Sequence, residues 1–276
     1  MQIITDTSSL YSPQEGRDMN ITVIPACALV DGKVYRDYED ISCTDFLKLI
    51  DEGRIPTSSQ PAIGEVLEIF EQSREEILYL ALGDGLSGTY QNAMGARNLI
   101  ERTAHIHIID TKTLAGCQRY LVQKAVKLRE EGLKIEEIIR RIKESVETSV
   151  SFVIPSDFDF LKRSGRLTPI AAKISGVIKI VPVLTQTEDM RRIRPFAIKR
   201  SRKKAVEALM EHMKEMGVGK EHVISIGHGG VSEVAKEVFE QMRSQFCDAT
   251  MEILQLAPAL ITHGGPGCIT IQAIHK

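Results

Sequence analysis

The chain has 276 residues, enough for one large or two modest domains, each with its own core. Its 35 Lys and Arg against 37 Asp and Glu leave a net charge of −2, which excludes a broad basic nucleic-acid surface. No apolar run approaches the roughly 20 residues needed to span a bilayer. The N-terminus reads as a strand with no signal-peptide pattern, and five scattered cysteines without a Cys-x-x-Cys pair read as reduced, buried thiols. A cytoplasmic location is expected.

In chain order, Gln2 to Thr5 reads as a strand that runs into Asp6-Thr7-Ser8-Ser9, a polar turn rich in capping residues. Strands are expected over Ile21–Pro25 and Ala26–Val30, with Asp31-Gly32 as a hairpin turn into Lys33-Val34-Tyr35. Thr44-Asp45 is expected to cap a short helix through Phe46, Leu47 and Ile50. Pro56 to Pro61 reads as a loop that feeds an amphipathic helix with Val66, Leu67 and Phe70 on one face. A buried strand is expected over Ile77–Leu82, a helix over Ala93–Ile100 and a strand over Ala104–Ile109. Two helices follow, Ala115–Glu131 closed by Gly132, then one with Ile135, Ile138, Ile139, Ile142 and Val146 in 3.6 periodicity. This alternation predicts a parallel sheet covered on both faces.

The pattern changes near Val150, which gives expected domains of 1–149 and 150–276. Strands are expected over Ile178–Leu184, Arg191–Ile198, Val223–Ile226, Met251–Leu256 and Cys268–Ile274. The basic run Lys199–Lys204 opens a helix with Val206, Leu209, Met210 and Met213 inward, and Val231–Met242 forms another. Ile261–Gly267 reads as a loop. This half reads as a two-layer α+β domain.

The segment Gly83-Asp84-Gly85-Leu86-Ser87-Gly88-Thr89 sits between a strand and a helix. A glycine turn at a helix N-terminus is a natural anion site, and Ser87, Thr89 and Asn92 add polar side chains. It also matches G-x-G-x-x-G, with Asp110 at the end of the next strand, the formal dinucleotide fingerprint. A nicotinamide-dependent oxidoreductase is therefore one reading. It leaves Ser58-Ser59 and the His263 loop unexplained. No G-x-x-x-x-G-K-[ST] motif is present, and no histidine spacing suggests a metal.

Seven blocks occur in a fixed order: Thr5-Asp6-Thr7-Ser8, Ser58-Ser59-Gln60-Pro61, Leu86-Ser87-Gly88-Thr89-Tyr90, Ile109-Asp110-Thr111, Phe160 to Arg166, Arg200 with Arg202 to Ala205, and His263-Gly264-Gly265-Pro266-Gly267. This order resembles the DegV family of bacterial fatty-acid-binding proteins over nearly the whole chain. The chain departs from that pattern at Ser58, where Thr is usual, at Ser164, where Gly is usual, and at Gly264, where a larger residue is common.

The resemblance implies an α/β fold: an N-terminal three-layer domain with a parallel sheet, then a smaller two-layer mixed-sheet domain. It implies a long-chain fatty acid held between them, without a cofactor, its carboxylate meeting hydroxyls of Ser58, Ser59, Ser87 and Thr89 with His263 nearby. It further implies a non-enzymatic carrier that presents the acid to a separate ATP-dependent kinase subunit and touches membranes only transiently. Gly88, Arg166 and Arg200 complete the candidate ligand-binding set. The two arginines have a second reading, as solvated charges or, for Arg200 and its neighbours, a kinase-docking face. Asp6 and Asp110 read either as site residues or as braces at strand ends. A small-ketone-binding kinase subunit is a weaker third reading. The chemistry of a fatty acid fits independently: each buried CH₂ contributes about 0.8 kcal/mol, so polar groups need only orient the head.

Overall fold

The computed structural model describes residues 1–173 and 180–276. Two compact units emerge, Met1–Glu147 with Ala257–Ala259, and Thr148–Leu256 with Leu260–Lys276.

The first unit begins with β1 (Gln2–Asp6), a 3₁₀ turn (Thr7–Ser9), α1 (Pro13–Asp18) and β2 (Thr22–Ile24). Ser12 and Glu15 form a reciprocal capping box on α1, with Pro13 at its first position. A small antiparallel sheet follows: β3 (Cys27–Val30) and β4 (Lys33–Arg36) form the expected hairpin, and Asp31 and Gly32 both take positive φ as such a turn requires. Its third strand is β5 (Thr57–Ser59), which pairs with β3. The sequence reading of Pro56–Pro61 as all loop is corrected here. These residues lack an apolar alternation, and the pairing to β3 supplies what their own propensity does not. Before β5 comes α2 (Cys43–Asp51), capped by Ser42 rather than Thr44; the Ser42 hydroxyl accepts the Asp45 N–H at 3.0 Å.

The rest of this unit is α3 (Ile63–Gln72), β6 (Ile77–Ala81), α4 (Thr89–Asn98), β7 (Ile106–Asp110), α5 (Ala115–Glu130) and α6 (Ile135–Val146). The main sheet is all parallel, in the order β2-β1-β6-β7. Period-two alternation sends Ile4, Tyr79 and Ala81 to one face, against Val66 and Phe70 of α3 and Ala93 and Ala96 of α4. Ile3, Leu78 and Leu80 are fully buried on the other face, where α5 packs on β1 and β6 and α6 packs on α5. Fully burying each such side chain stabilises by roughly 1.5–3 kcal/mol. The result is a three-layer α/β unit.

The second unit carries β8 (Val150–Ile154), α7 (Phe158–Ser164), α8 (Pro169–Ala172), β9 (Val181–Gln186), β10 (Ile193–Lys199), α9 (Arg202–Glu215), β11 (His222–His228), α10 (Ser232–Arg243), β12 (Thr250–Gln255), α11 (Pro258–Gly264, whose first turn lies in the first unit) and β13 (Ile269–His275). Its six strands run β10-β9-β8-β13-β11-β12; β11 and β12 are parallel and the other pairs antiparallel, so the sheet is mixed. Val206, Leu209, Met210 and Met213 of α9 and Val238 and Met242 of α10 cover Ile224, Ile226, Ile271 and Ala273. Leu161, Leu167 and Ala171 from α7 to α8 pack on Leu184 of β9. The expected strand start at Ile178 lies outside the described residues.

Candidate functional site

In the first unit, two hydroxyl-bearing segments meet. The chain leaves β6 at Ala81, turns through Gly83–Gly88 and enters the ten-residue α4 at Thr89, four residues earlier than the sequence pattern suggested. The Ser87 and Thr89 hydroxyls lie 2.9 Å apart and share a hydrogen bond; Ser87 Oγ also accepts the Thr89 N–H at 3.2 Å. Ser87 is part-exposed and Thr89 buried. Asn92, one turn into α4, donates its amide to the Pro61 carbonyl at 2.9 Å, and a Cβ on Gly88 would come within 3.3 Å of the Gln60 side chain. These contacts bring the Ser58–Pro61 segment onto the start of α4.

Ser58 and Ser59 do not act as a matched pair. In β5 their side chains alternate, so they point to opposite faces of the small sheet. Ser59 stands opposite Cys27 and its hydroxyl hydrogen-bonds the Cys27 thiol, whose pKa is pushed up chiefly by burial. Ser58 stands opposite the buried Ala28.

Asp6 and Asp110 serve as braces. Asp6, buried at the end of β1, caps the 3₁₀ turn by accepting the Ser8 N–H at 3.0 Å, and takes the Leu82 N–H at 3.1 Å. Asp110 accepts the N–H groups of Asp84 and Lys112, both at 2.9 Å. A dinucleotide loop would aim its N–H groups at a pyrophosphate. Here the N–H groups of Leu82, Gly83, Asp84, Leu86 and Ser87 are all hydrogen-bonded within the chain, and the carboxylate meant for a ribose is tied to its own loops. The oxidoreductase reading is not favoured.

In the second unit, the Phe160–Arg166 and His263–Gly267 blocks meet. Gly265 has φ of +80°, and a Cβ there would come within 3.0 Å of the Phe160 ring. Ser156 donates to the Gly267 carbonyl at 2.7 Å. His263 ends up in the last turn of α11, not in a loop; Pro258 starts that helix, and the glycines after it masked its end. Its imidazole is part-buried, and burial together with the nearby Arg166 guanidinium pushes its pKa down to about 4. It is therefore neutral at pH 7, beside one cation.

Arg166 is held in place by Ser164, the residue that departs from the family pattern. Ser164 Oγ donates to the Leu161 carbonyl at 2.6 Å and accepts the Arg166 N–H at 3.2 Å, and the Arg166 guanidinium donates to the Ser164 carbonyl. Burial lowers the Arg166 pKa. A neutral imidazole beside a guanidinium carries one net positive charge, suited to a singly charged anion. Arg200 is exposed in the turn between β10 and α9, next to the capping Ser201. Sequence reasoning did not single out Cys268, whose Sγ would lie 2.7 Å from a Cβ on Gly264. Among the described residues no helix is long and apolar enough to cross a membrane.

The model of the DegV family, described as "Uncharacterised protein, DegV family", matches residues 1–276. The chain belongs to the DegV family. A DegV domain-containing protein of Listeria innocua is 30% identical over 277 residues, covering 97% of this chain and 95% of that one. Two solved DegV structures are each 26% identical and cover 100% of this chain and 99% of theirs: a protein of Bacillus subtilis with a TM-score of 0.85 and one of Streptococcus agalactiae with 0.87. Both are described as fatty-acid-binding. The family, the α/β fold and the parallel and mixed sheets of the two units agree with the sequence-based expectation.

Proposed function

We propose that this DegV protein binds a long-chain fatty acid and is a carrier, not an enzyme. The observation that carries the reading is the Ser87–Thr89 hydroxyl pair at the start of α4. A helix N-terminus adds partial positive charge, and the pair, one hydroxyl donating to the other, leaves one O–H to donate to a carboxylate without a buried lysine. Ser58 or Ser59, with Gly88, are the further ligand-binding candidates of the first unit, and Arg166 and His263 those of the second; Arg200, in its exposed turn, is assigned to docking the kinase. That two solved relatives are described as fatty-acid-binding supports the choice of ligand.

By the same proposal the bound acid is handed, in the cytoplasm, to a separate kinase subunit that uses ATP to form an acyl phosphate, and membrane contact is transient. The reading is tested by extracting lipid from the purified protein and titrating delipidated protein with oleate. A co-extracted acyl chain and saturable oleate binding are expected. Protein that carries no acyl chain and binds none added refutes it. Adding a cognate kinase and ATP then tests the acyl-phosphate step separately.

A further inference from the structure

The loop that carries Ser87 is held from both sides. β6 lies between β1 and β7, and each neighbour ends in an aspartate, Asp6 and Asp110. Asp6 Oδ2 accepts the Leu82 N–H at 3.1 Å, and Asp110 Oδ1 accepts the Asp84 N–H at 2.9 Å. Between them, the Gly83 N–H donates to the Thr113 carbonyl at 3.0 Å. Three successive peptide groups are thus pinned by the ends of the two flanking strands and by the loop after β7. The Gly83 carbonyl in turn accepts the N–H groups of Leu86 and Ser87, each at 3.2 Å, so the position of Ser87 follows from that of Gly83.

We propose that Asp6 and Asp110 are positioning residues, a two-carboxylate clamp that sets the Ser87 and Thr89 hydroxyls for a ligand carboxylate. This rests on the fatty-acid reading above. The clamp turns the N–H groups of Leu82 and Asp84 inward and sets the Ser87 and Thr89 hydroxyls at the helix start. Such a loop fits one carboxylate better than a pyrophosphate. Both acids are suited to the task because the two oxygens of a carboxyl group can accept several N–H bonds at once, and each here accepts two from the backbone.

The test uses Asp110→Ala and Asp110→Asn, since Asp110 is part-exposed and its loss should leave the fold intact. One oxygen, Oδ1, accepts both N–H groups, so asparagine can keep both bonds. Amide exchange is measured on the ligand-free protein. Asp110→Ala should speed exchange at Asp84, Ser87 and Thr89 about tenfold, the loss of one hydrogen bond to a charged group. Leu78 to Leu80 in β6 should not change, and Asp110→Asn should stay near wild type. Titrations with oleate and oleyl alcohol complete the test. Asp110→Ala should weaken oleate about tenfold and leave the alcohol unaffected, because the clamp acts on the charged head. Unchanged loop exchange, equal weakening of both ligands, or failure of asparagine to rescue overturns the clamp. Wild-type protein that binds no oleate overturns the fatty-acid reading and the carboxylate role with it, and the exchange data distinguish that failure from absence of the clamp.

Discussion

The neutral imidazole of His263 has a measurable consequence for stability. Its pKa falls from an ordinary 6.5 to about 4, first through burial and then through Arg166. Between those values the unfolded chain binds a proton that the folded chain does not. The contribution of His263 is therefore fully present above pH 6.5 and is lost as pH falls toward 4. At 1.36 kcal/mol per pKa unit, the full loss is roughly 3 kcal/mol. Buried Asp37, whose carboxyl is pushed up to about 7 by burial, acts in the opposite sense across the whole of this window. Comparison of variants cancels it. Chemical denaturation of wild type and His263→Gln at pH 7 and pH 5 should give curves that converge at the lower pH, where wild type loses about 2 kcal/mol more than the variant. NMR titration of the His263 ring gives the pKa directly, and Arg166→Gln should raise it. A ring that titrates near 6.5 in wild type, or identical pH slopes in both proteins, would refute the electrostatic account.

Three further outcomes are expected. Ser87→Ala should weaken oleate binding by roughly 1.5–3 kcal/mol, about tenfold to a hundredfold by calorimetry, if no water replaces the hydroxyl. Arg200→Ala, a change in an exposed turn, should leave oleate affinity near wild type and reduce acyl-phosphate formation when a cognate kinase and ATP are supplied; loss of affinity would instead put Arg200 among the residues that hold the ligand. Gly264→Ala should destabilise by about 1–3 kcal/mol in urea denaturation, because the new Cβ meets Cys268 Sγ at 2.7 Å, and a second change, Cys268→Ala, should recover most of the loss.

Much of the fold was legible because single-element signals were strong. α6 carries Ile135, Ile138, Ile142 and Val146 on one stripe, all buried. β6 is an unbroken apolar run because parallel strands are covered on both faces. β5 was not legible: Thr57-Ser58-Ser59 has no alternation to read, and only its partner β3 makes it a strand. α11 was hidden because the eye follows the glycines after His263, while the start signal, Pro258, lies five residues before it. Of the site, the grouping of the hydroxyl blocks in the first unit could be anticipated. The alternation that separates Ser58 from Ser59 follows from strand geometry and could not be seen while the segment read as a loop. The depressed pKa of His263 depends on Arg166, 97 positions earlier in the chain (263 minus 166), and no local pattern records it.

The glycine motif shows how one string supports two chemistries. A Cβ on Gly83 would come within 2.8 Å of the Lys112 backbone, so glycine is required where the loops after β6 and β7 cross. Gly85 has φ of +86°, a conformation that costs a side chain about 1 kcal/mol or more. Two of the three glycines are thus demanded by the turn itself, in any ligand state. The third, Gly88, caps α4 with ordinary angles and lies against Gln60. What separates this loop from a dinucleotide loop is therefore not the glycines but the residues between and beside them. Asp6 and Asp110 take N–H groups that a pyrophosphate would need, and Ser87 and Thr89 put hydroxyls at the helix start instead. A single carboxylate can be met by the O–H that the pair leaves free, whereas a pyrophosphate would lose the N–H groups of Leu82 and Asp84.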